Sequence, residues 1–160
     1  LEETGIRADY IFHATGTGGT MAGLAAGRKM AESDTKIISI TVSPKDEKYL
    51  RKVEKLANDV LALIKSPAHV TIEEDLHMDT GYYAPGYEQP NEAASEAIRL
   101  LARTEGLFVD PVYTGKALAG LIDYVRSGKV PQGSNVVFWH TGGATALFAE
   151  QEILGDLYQM

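Results

Sequence analysis

Apolar residues along the chain fall into short continuous runs that alternate with longer stretches of helical spacing. Tyr10-Ile11-Phe12-His13-Ala14 is a short run of the kind that buries as a strand. Lys36–Val42 (KIISITV) is a second, β-branched and uninterrupted as in a parallel sheet covered on both faces. Between them, small and apolar residues over Met21–Met30 predict a helix. Ser43 then stands as an N-cap with Pro44 at the first helical position, and Leu50, Val53, Leu56, Val60 and Ile64 mark one face of the helix that follows. Val70-Thr71-Ile72 reads as a weaker extended segment and His77 to Pro90 as irregular. Asn91 predicts the cap of a helix whose apolar positions are Ala94, Ile98, Leu101 and Ala102 and whose end is Gly106. Leu107-Phe108-Val109 reads as a strand, Gly115–Arg126 as a helix, Asn135–Trp139 (NVVFW) as a strand and Ala144–Leu154 as a closing helix.

This β-α-β-α order predicts an α/β fold: a doubly wound, mostly parallel sheet with helices on both faces, a three-layer αβα arrangement of Rossmann-like kind. No repeat, linker or low-complexity tract interrupts it, so residues 1–160 read as one domain. Ligands of such sheets sit beyond the carboxyl ends of the strands, near the point where strand order reverses. Three predicted strand ends carry unusual residues: Thr15–Thr20, Asp110–Lys116 and His140–Gly143.

Composition narrows the classes. Hydrophobic residues make up 44% of the 160 and charged residues 23%, which excludes a disordered or fibrous chain. Fifteen Lys and Arg against 22 Asp and Glu give a net charge of −7, which argues against a nucleic-acid partner. The absence of cysteine removes disulfides, thiolate metal sites and cysteine nucleophiles, and suits a cytoplasmic location. His13, His69, His77 and His140 show neither i, i+4 pairing nor HExxH spacing, so no metal site is expected. No apolar run approaches the roughly 20 residues of a membrane helix, so no membrane partner is expected. The chain opens Leu1-Glu2-Glu3-Thr4-Gly5, without Met, and reads there like the last turn of a helix with glycine following it.

Thr15-Gly16-Thr17-Gly18-Gly19-Thr20 lies between a strand and a helix. Its glycines let backbone approach an anion, the helix start offers free N–H groups, and the threonines add hydroxyls, so it reads as a phosphate cradle or as a tight glycine turn. It is no P-loop, because no Lys follows Gly23, and the dinucleotide pattern GxGxxG would need a glycine at Met21. Tyr113, within Asp110-Pro111-Val112-Tyr113-Thr114-Gly115-Lys116, is either a proton donor aimed into a crevice or a ring packed on the sheet edge. Lys116 reads as a solvated helix lysine. Trp139-His140-Thr141-Gly142-Gly143 offers a hydroxyl to a flat ligand or is a glycine turn with an N-cap threonine, and Gly81–Tyr87 is a loop rich in tyrosine.

Together GTGGTMAGL, PGY, EGLFVDPVYTGKALAGL and FWHTGG resemble the C-terminal half of D-cysteine desulfhydrases and 1-aminocyclopropane-1-carboxylate (ACC) deaminases, pyridoxal-phosphate enzymes of the tryptophan-synthase β type. The resemblance runs from about Thr4 to the end. It implies pyridoxal 5′-phosphate as cofactor, with its phosphate on Thr15, Gly16, Thr17, Gly18, Gly19 and Thr20 and its pyridine nitrogen at Thr141. It also implies Tyr87 and Tyr113 as the paired active-site tyrosines, a small amino-acid substrate and a homodimeric parent. Family members are about twice this length and carry the cofactor-anchoring lysine in their other half; no lysine here sits in a matching motif. The chain is therefore expected to be the cofactor-cradling part of a longer lyase or deaminase, inactive by itself. ACC deaminases carry a glutamate, able to meet the pyridine nitrogen, where this chain has Thr114. With Thr141, that threonine favours D-cysteine desulfhydrase chemistry (pyruvate, sulfide and ammonia from D-cysteine) over ACC ring opening. An ACC deaminase or cysteate lyase-like enzyme, and a stand-alone anion- or nucleotide-binding module, are the alternatives.

Overall fold

The computed structural model describes residues 5–150. Four parallel strands, β1 (Tyr10–Thr15), β2 (Lys36–Thr41), β3 (His77–Asp79) and β4 (Val136–Phe138), form one sheet in the order β3-β2-β1-β4. Helices α1 (Gly19–Met30), α2 (Glu47–Leu63), α3 (Ile72–Asp75), α4 (Glu92–Glu105), α5 (Thr114–Arg126) and α6 (Ala146–Ala149) complete it. The predicted α/β class and parallel sheet are what forms.

The side-chain alternation of β1 splits the core. Tyr10, Phe12 and Ala14 point to one face, where they pack with Ile40 and Val42 against Ala117 of α5. His13 and Thr15 point to the other, and Thr15 there bonds Tyr49 of α2. Small residues let α1 lie close to α2: Met21, Ala22, Ala25 and Ala26 meet Val53, Ala57 and Leu61 in a separate cluster. His13 is fully buried between these layers. Its Nδ1–H donates to the Ala14 carbonyl at 2.9 Å, and Nε2 accepts from the Ser39 hydroxyl at 2.7 Å.

Both predicted caps of α4 are present: Asn91 Oδ1 accepts from the Ala94 N–H at 2.7 Å, and Gly106 closes the helix in the left-handed region at φ 67°. Other expectations shift. The helix after β2 begins at Glu47, because Asp46 rather than Ser43 accepts from the Tyr49 N–H at 3.0 Å. Its buried stripe is Val53, Ala57 and Leu61, so the predicted face is only partly right: Leu56, Val60 and Ile64 are exposed. Val70 is extended but joins no ladder; the Asn58 amide bonds both its N–H and its carbonyl, and the next residues turn into α3. His77–Asp79, expected to be irregular, pairs with β2. Leu107-Phe108-Val109 forms no strand, since no ladder partner lies beside it, and Leu107 and Phe108 are exposed. The predicted closing helix is seen only as α6; its part beyond residue 150, like the helical turn predicted at residues 1–4, lies outside the described residues. No helix among the described residues is long and apolar enough to cross a membrane.

Candidate active site

Strand order runs outward from β1 to β2 and β3 and then returns to β4 on the other side of β1, so it reverses between β1 and β4. At the carboxyl ends of these strands lies a cavity of about 620 Å³, within the range of roughly 300–1,000 Å³ common for small-molecule sites. Gly16 and Thr17 line it from the loop after β1, Thr20 from the first turn of α1, Tyr87 and Tyr113 from two further loops, and Thr141 from the segment after β4. Six residues singled out in the sequence thus meet in one crevice.

The glycine loop is shaped by α2. Gly18 has φ 99°, which an L side chain rarely adopts, and a Cβ there would stand 2.6 Å from Val53 Cγ2 and 3.3 Å from the Tyr49 hydroxyl. Thr15 is turned the same way: it is buried, and its hydroxyl is 2.8 Å from that of Tyr49. Neither Thr15, Gly18 nor Gly19 lines the cavity itself; Thr15 and Gly18 fix the loop and Gly19 opens α1. No side chain caps α1 and no acid stands in its first turn, so its leading N–H groups are left to a ligand.

Tyr113 is aimed by Asp110. The buried carboxylate accepts from the N–H groups of Val112, Tyr113 and Thr114 at 2.7–2.9 Å and from the Thr114 hydroxyl at 2.6 Å. These bonds fix the turn that leads into α5. They also correct the expectation for Thr114: its hydroxyl is fully buried against Asp110, and it does not reach the cavity.

Tyr87 arrives on a loop that two helices hold by its carbonyls. Asn91 Nδ2 donates to Tyr82 and Ala84, and Lys116 Nζ donates to Tyr83 at 3.2 Å and Gly86 at 2.7 Å. Lys116 is therefore no solvated lysine; it is completely buried, and burial pushes its pKa down despite the attraction of Asp110. The Tyr87 and Tyr113 rings meet edge to face with centroids 5.9 Å apart, and their hydroxyls are hydrogen-bonded. The bond to Tyr113, reinforced by desolvation, raises the Tyr87 pKa well above the phenol range. Tyr87 thus keeps its proton, and either hydroxyl can donate to the other.

Thr141 is positioned through His140 and Gly143. His140 Nε2–H donates to the Phe108 carbonyl at 2.9 Å, while Nδ1 accepts from the Gly142 N–H at 3.1 Å. Gly143, at φ 88°, presses on Asp110: a Cβ there would lie 2.8 Å from Oδ1. One buried carboxylate therefore sets the tyrosine turn and stands directly beside the threonine loop.

The wall after β2 was not anticipated. Ser43, Lys45, Tyr49 and Lys52 line the same cavity. Position was the available signal, because Ser43 and Lys45 follow a strand whose carboxyl end lies beside that of β1. Among the described residues the lining contains two lysines and no carboxylate, in a chain of net charge −7. Phosphate-sized anions suit such a lining, with hydroxyls available for a planar polar ligand beyond them.

Comparison with known proteins agrees with that chemistry. The chain is 42% identical over 147 residues to a 1-aminocyclopropane-1-carboxylate deaminase of Ralstonia nicotianae, covering 92% of this chain and 43% of that protein. It is 44% identical over 139 residues to a D-cysteine desulfhydrase of Salmonella typhi, covering 85% and 40%. Among solved structures, an ACC deaminase homologue matches with a TM-score of 0.82 at 31% identity, over 94% of this chain and 44% of that one. The chain spans less than half the length of these relatives. The family model for pyridoxal-phosphate dependent enzymes matches residues 1–142. With most of its length inside that match, the chain belongs to the pyridoxal-phosphate dependent enzyme family.

Proposed function

We propose that this chain is the cofactor-cradling part of a longer lyase of the D-cysteine desulfhydrase kind. The residues present fit pyridoxal phosphate. Gly16, Thr17 and Thr20 on the cavity lining, an uncapped helix start and a cationic wall suit its phosphate, and the Thr141 hydroxyl on the same lining suits its pyridine nitrogen. When bound, the cofactor supplies an electron sink for charge developing beside its ring. Gly16, Thr17 and Thr20 hold the phosphate end, with Thr15 and Gly18 keeping the loop on α2. Tyr87 and Tyr113 act as a hydrogen-bonded hydroxyl pair at the substrate, and the pair presents an O–H to the substrate carboxylate or the departing sulfur. D-Cysteine and one water become pyruvate, sulfide and ammonia.

The observation that carries D-cysteine over ACC is the absence of any carboxylate from the cavity lining among the described residues. A carboxylate at the pyridine nitrogen holds the ring protonated, as opening an unactivated cyclopropane demands; a hydroxyl leaves it nearly neutral, which suffices when the leaving group is a thiolate. The contrast now rests on Thr141 alone, since Thr114 is occupied by Asp110. Steady-state kinetics of the full-length protein on both substrates test the assignment. A kcat/KM for D-cysteine far above that for ACC is expected, and equal or better activity on ACC overturns it.

A further inference from the structure

The cations of α2 and of the segment before it behave in two ways. Arg51 pairs with Glu47 and Lys55 with Asp59, each across one helical turn, on the solvent side. Lys45 and Lys52 make no ion pair among the described residues, and both line the cavity. The Lys45 ammonium lies 5.0 Å from the centre of the Tyr49 ring. That ring ends in the hydroxyl that bonds Thr15 and borders Gly18. Lys45 therefore stands at the Gly18 end of the glycine loop, with Lys52 on the same cavity wall, whereas Tyr113 stands at its Gly16 end, its ring 3.4 Å from where a Gly16 Cβ would be.

A phosphate monoester carries a charge of about −1.5 to −2 at neutral pH. The loop contributes only dipoles, and one helix start is equivalent to about half a positive charge. Most of the phosphate charge thus remains to be met, and among the described residues the cavity lining contains two unpaired cations and no other charged group. We infer that Lys45 and Lys52 form the charged half of the phosphate site and make it select the phosphorylated cofactor over its unphosphorylated form. This assignment rests on the glycine loop being the phosphate cradle. Tyr49 acts as a positioning residue, joining the ammonium wall to the loop through its ring and its hydroxyl.

Pyridoxine 5′-phosphate and pyridoxine, which lack the reactive aldehyde, serve as probes in calorimetric titrations of the 160-residue chain at low and moderate salt. Wild type should bind pyridoxine 5′-phosphate more tightly than pyridoxine. Lys45→Gln and Lys52→Gln should each weaken phosphate-ester binding about three- to fivefold, as partly exposed ion pairs do, and both together about tenfold or more. The double variant should also lose most of the salt dependence and leave pyridoxine binding unchanged. Lys48→Gln/Lys65→Gln, which changes net charge equally at positions outside the lining, should bind like wild type. Wild-type affinity in Lys45→Gln/Lys52→Gln, or an equal loss in the control, overturns the lysine assignment while leaving the cradle intact. If wild type does not prefer the phosphate ester, the cradle fails and the lysine assignment with it.

Discussion

Replacing Lys116 by methionine keeps the length of the side chain and removes its ammonium. In the native protein that ammonium is buried and donates to the carbonyls of Gly86 at 2.7 Å and Tyr83 at 3.2 Å. Hydrogen bonds from a charged donor contribute about 1.5–3 kcal/mol each, and the shorter one belongs at the upper end of that range. Against this stands the cost of holding the charge out of water, visible in the lowered pKa of the lysine. The balance is a net loss of about 2 kcal/mol, because two half-buried carbonyls are left without their donor. A domain of this size should lose about 4–8 °C in Tm. Thermal and urea denaturation followed by circular dichroism measure the stability. Amide exchange at Gly86 and Tyr87 reports the loop directly, and it should accelerate while exchange in α1 and α2 does not. A variant as stable as wild type, with unchanged exchange at Gly86 and Tyr87, would show that the ammonium does not hold the tyrosine loop.

Three other outcomes follow from the geometry. Gly143→Ala should cost about 1–3 kcal/mol, since it places a methyl against the Asp110 carboxylate at positive φ, and chemical shifts should move at Tyr113 as well as Thr141; shifts confined to residues 141–145 contradict the shared anchor. Burial lowers the His13 pKa from 6.5 to about 4, so the unfolded chain takes up a proton that the folded one refuses. Its contribution is complete above pH 6.5 and is lost as pH falls to about 4, a loss on the order of 3 kcal/mol that His13→Gln should abolish; parallel stability–pH curves for variant and wild type would refute it. Borohydride reduction of the chain with pyridoxal phosphate should give no single stoichiometric pyridoxyl-lysine, and no pyruvate should form from D-cysteine; one site-specific label with turnover would refute the inactivity of this part alone.

Local chemistry made much of the fold legible. The runs at β1 and β2, the Asn91 cap and the Gly106 stop depend on neighbours within a few residues, and each forms as read. Long-range contacts were harder. Leu107-Phe108-Val109 has strand-like composition, but a strand exists only beside a partner, and the Phe108 carbonyl goes instead to His140. The buried stripe of α2 passes through Ala57, whose small side chain weighs little in a hydrophobic pattern yet lets α2 approach α1. In the candidate site, the glycine-rich strand ends after β1 and β4 meet in one crevice. Lys116 looked solvated because the carbonyls that receive it lie 30 and 33 residues away along the chain. Lys45 and Lys52 carried no motif, and only the placement of α2 against the glycine loop reveals their side of the cavity.

The central claim is that the crevice between the ends of β1 and β4 cradles the phosphate and ring of the cofactor. Backbone amide shifts of the ¹⁵N-labelled chain, recorded while pyridoxine 5′-phosphate is added, test it most directly. The largest changes are expected at Gly16, Thr17, Gly18, Gly19 and Thr20, with a second group at Thr141 and its glycines. Changes centred instead on the opposite end of the sheet, around Arg7, Lys36 and Ser134, or spread evenly over the surface, would contradict it.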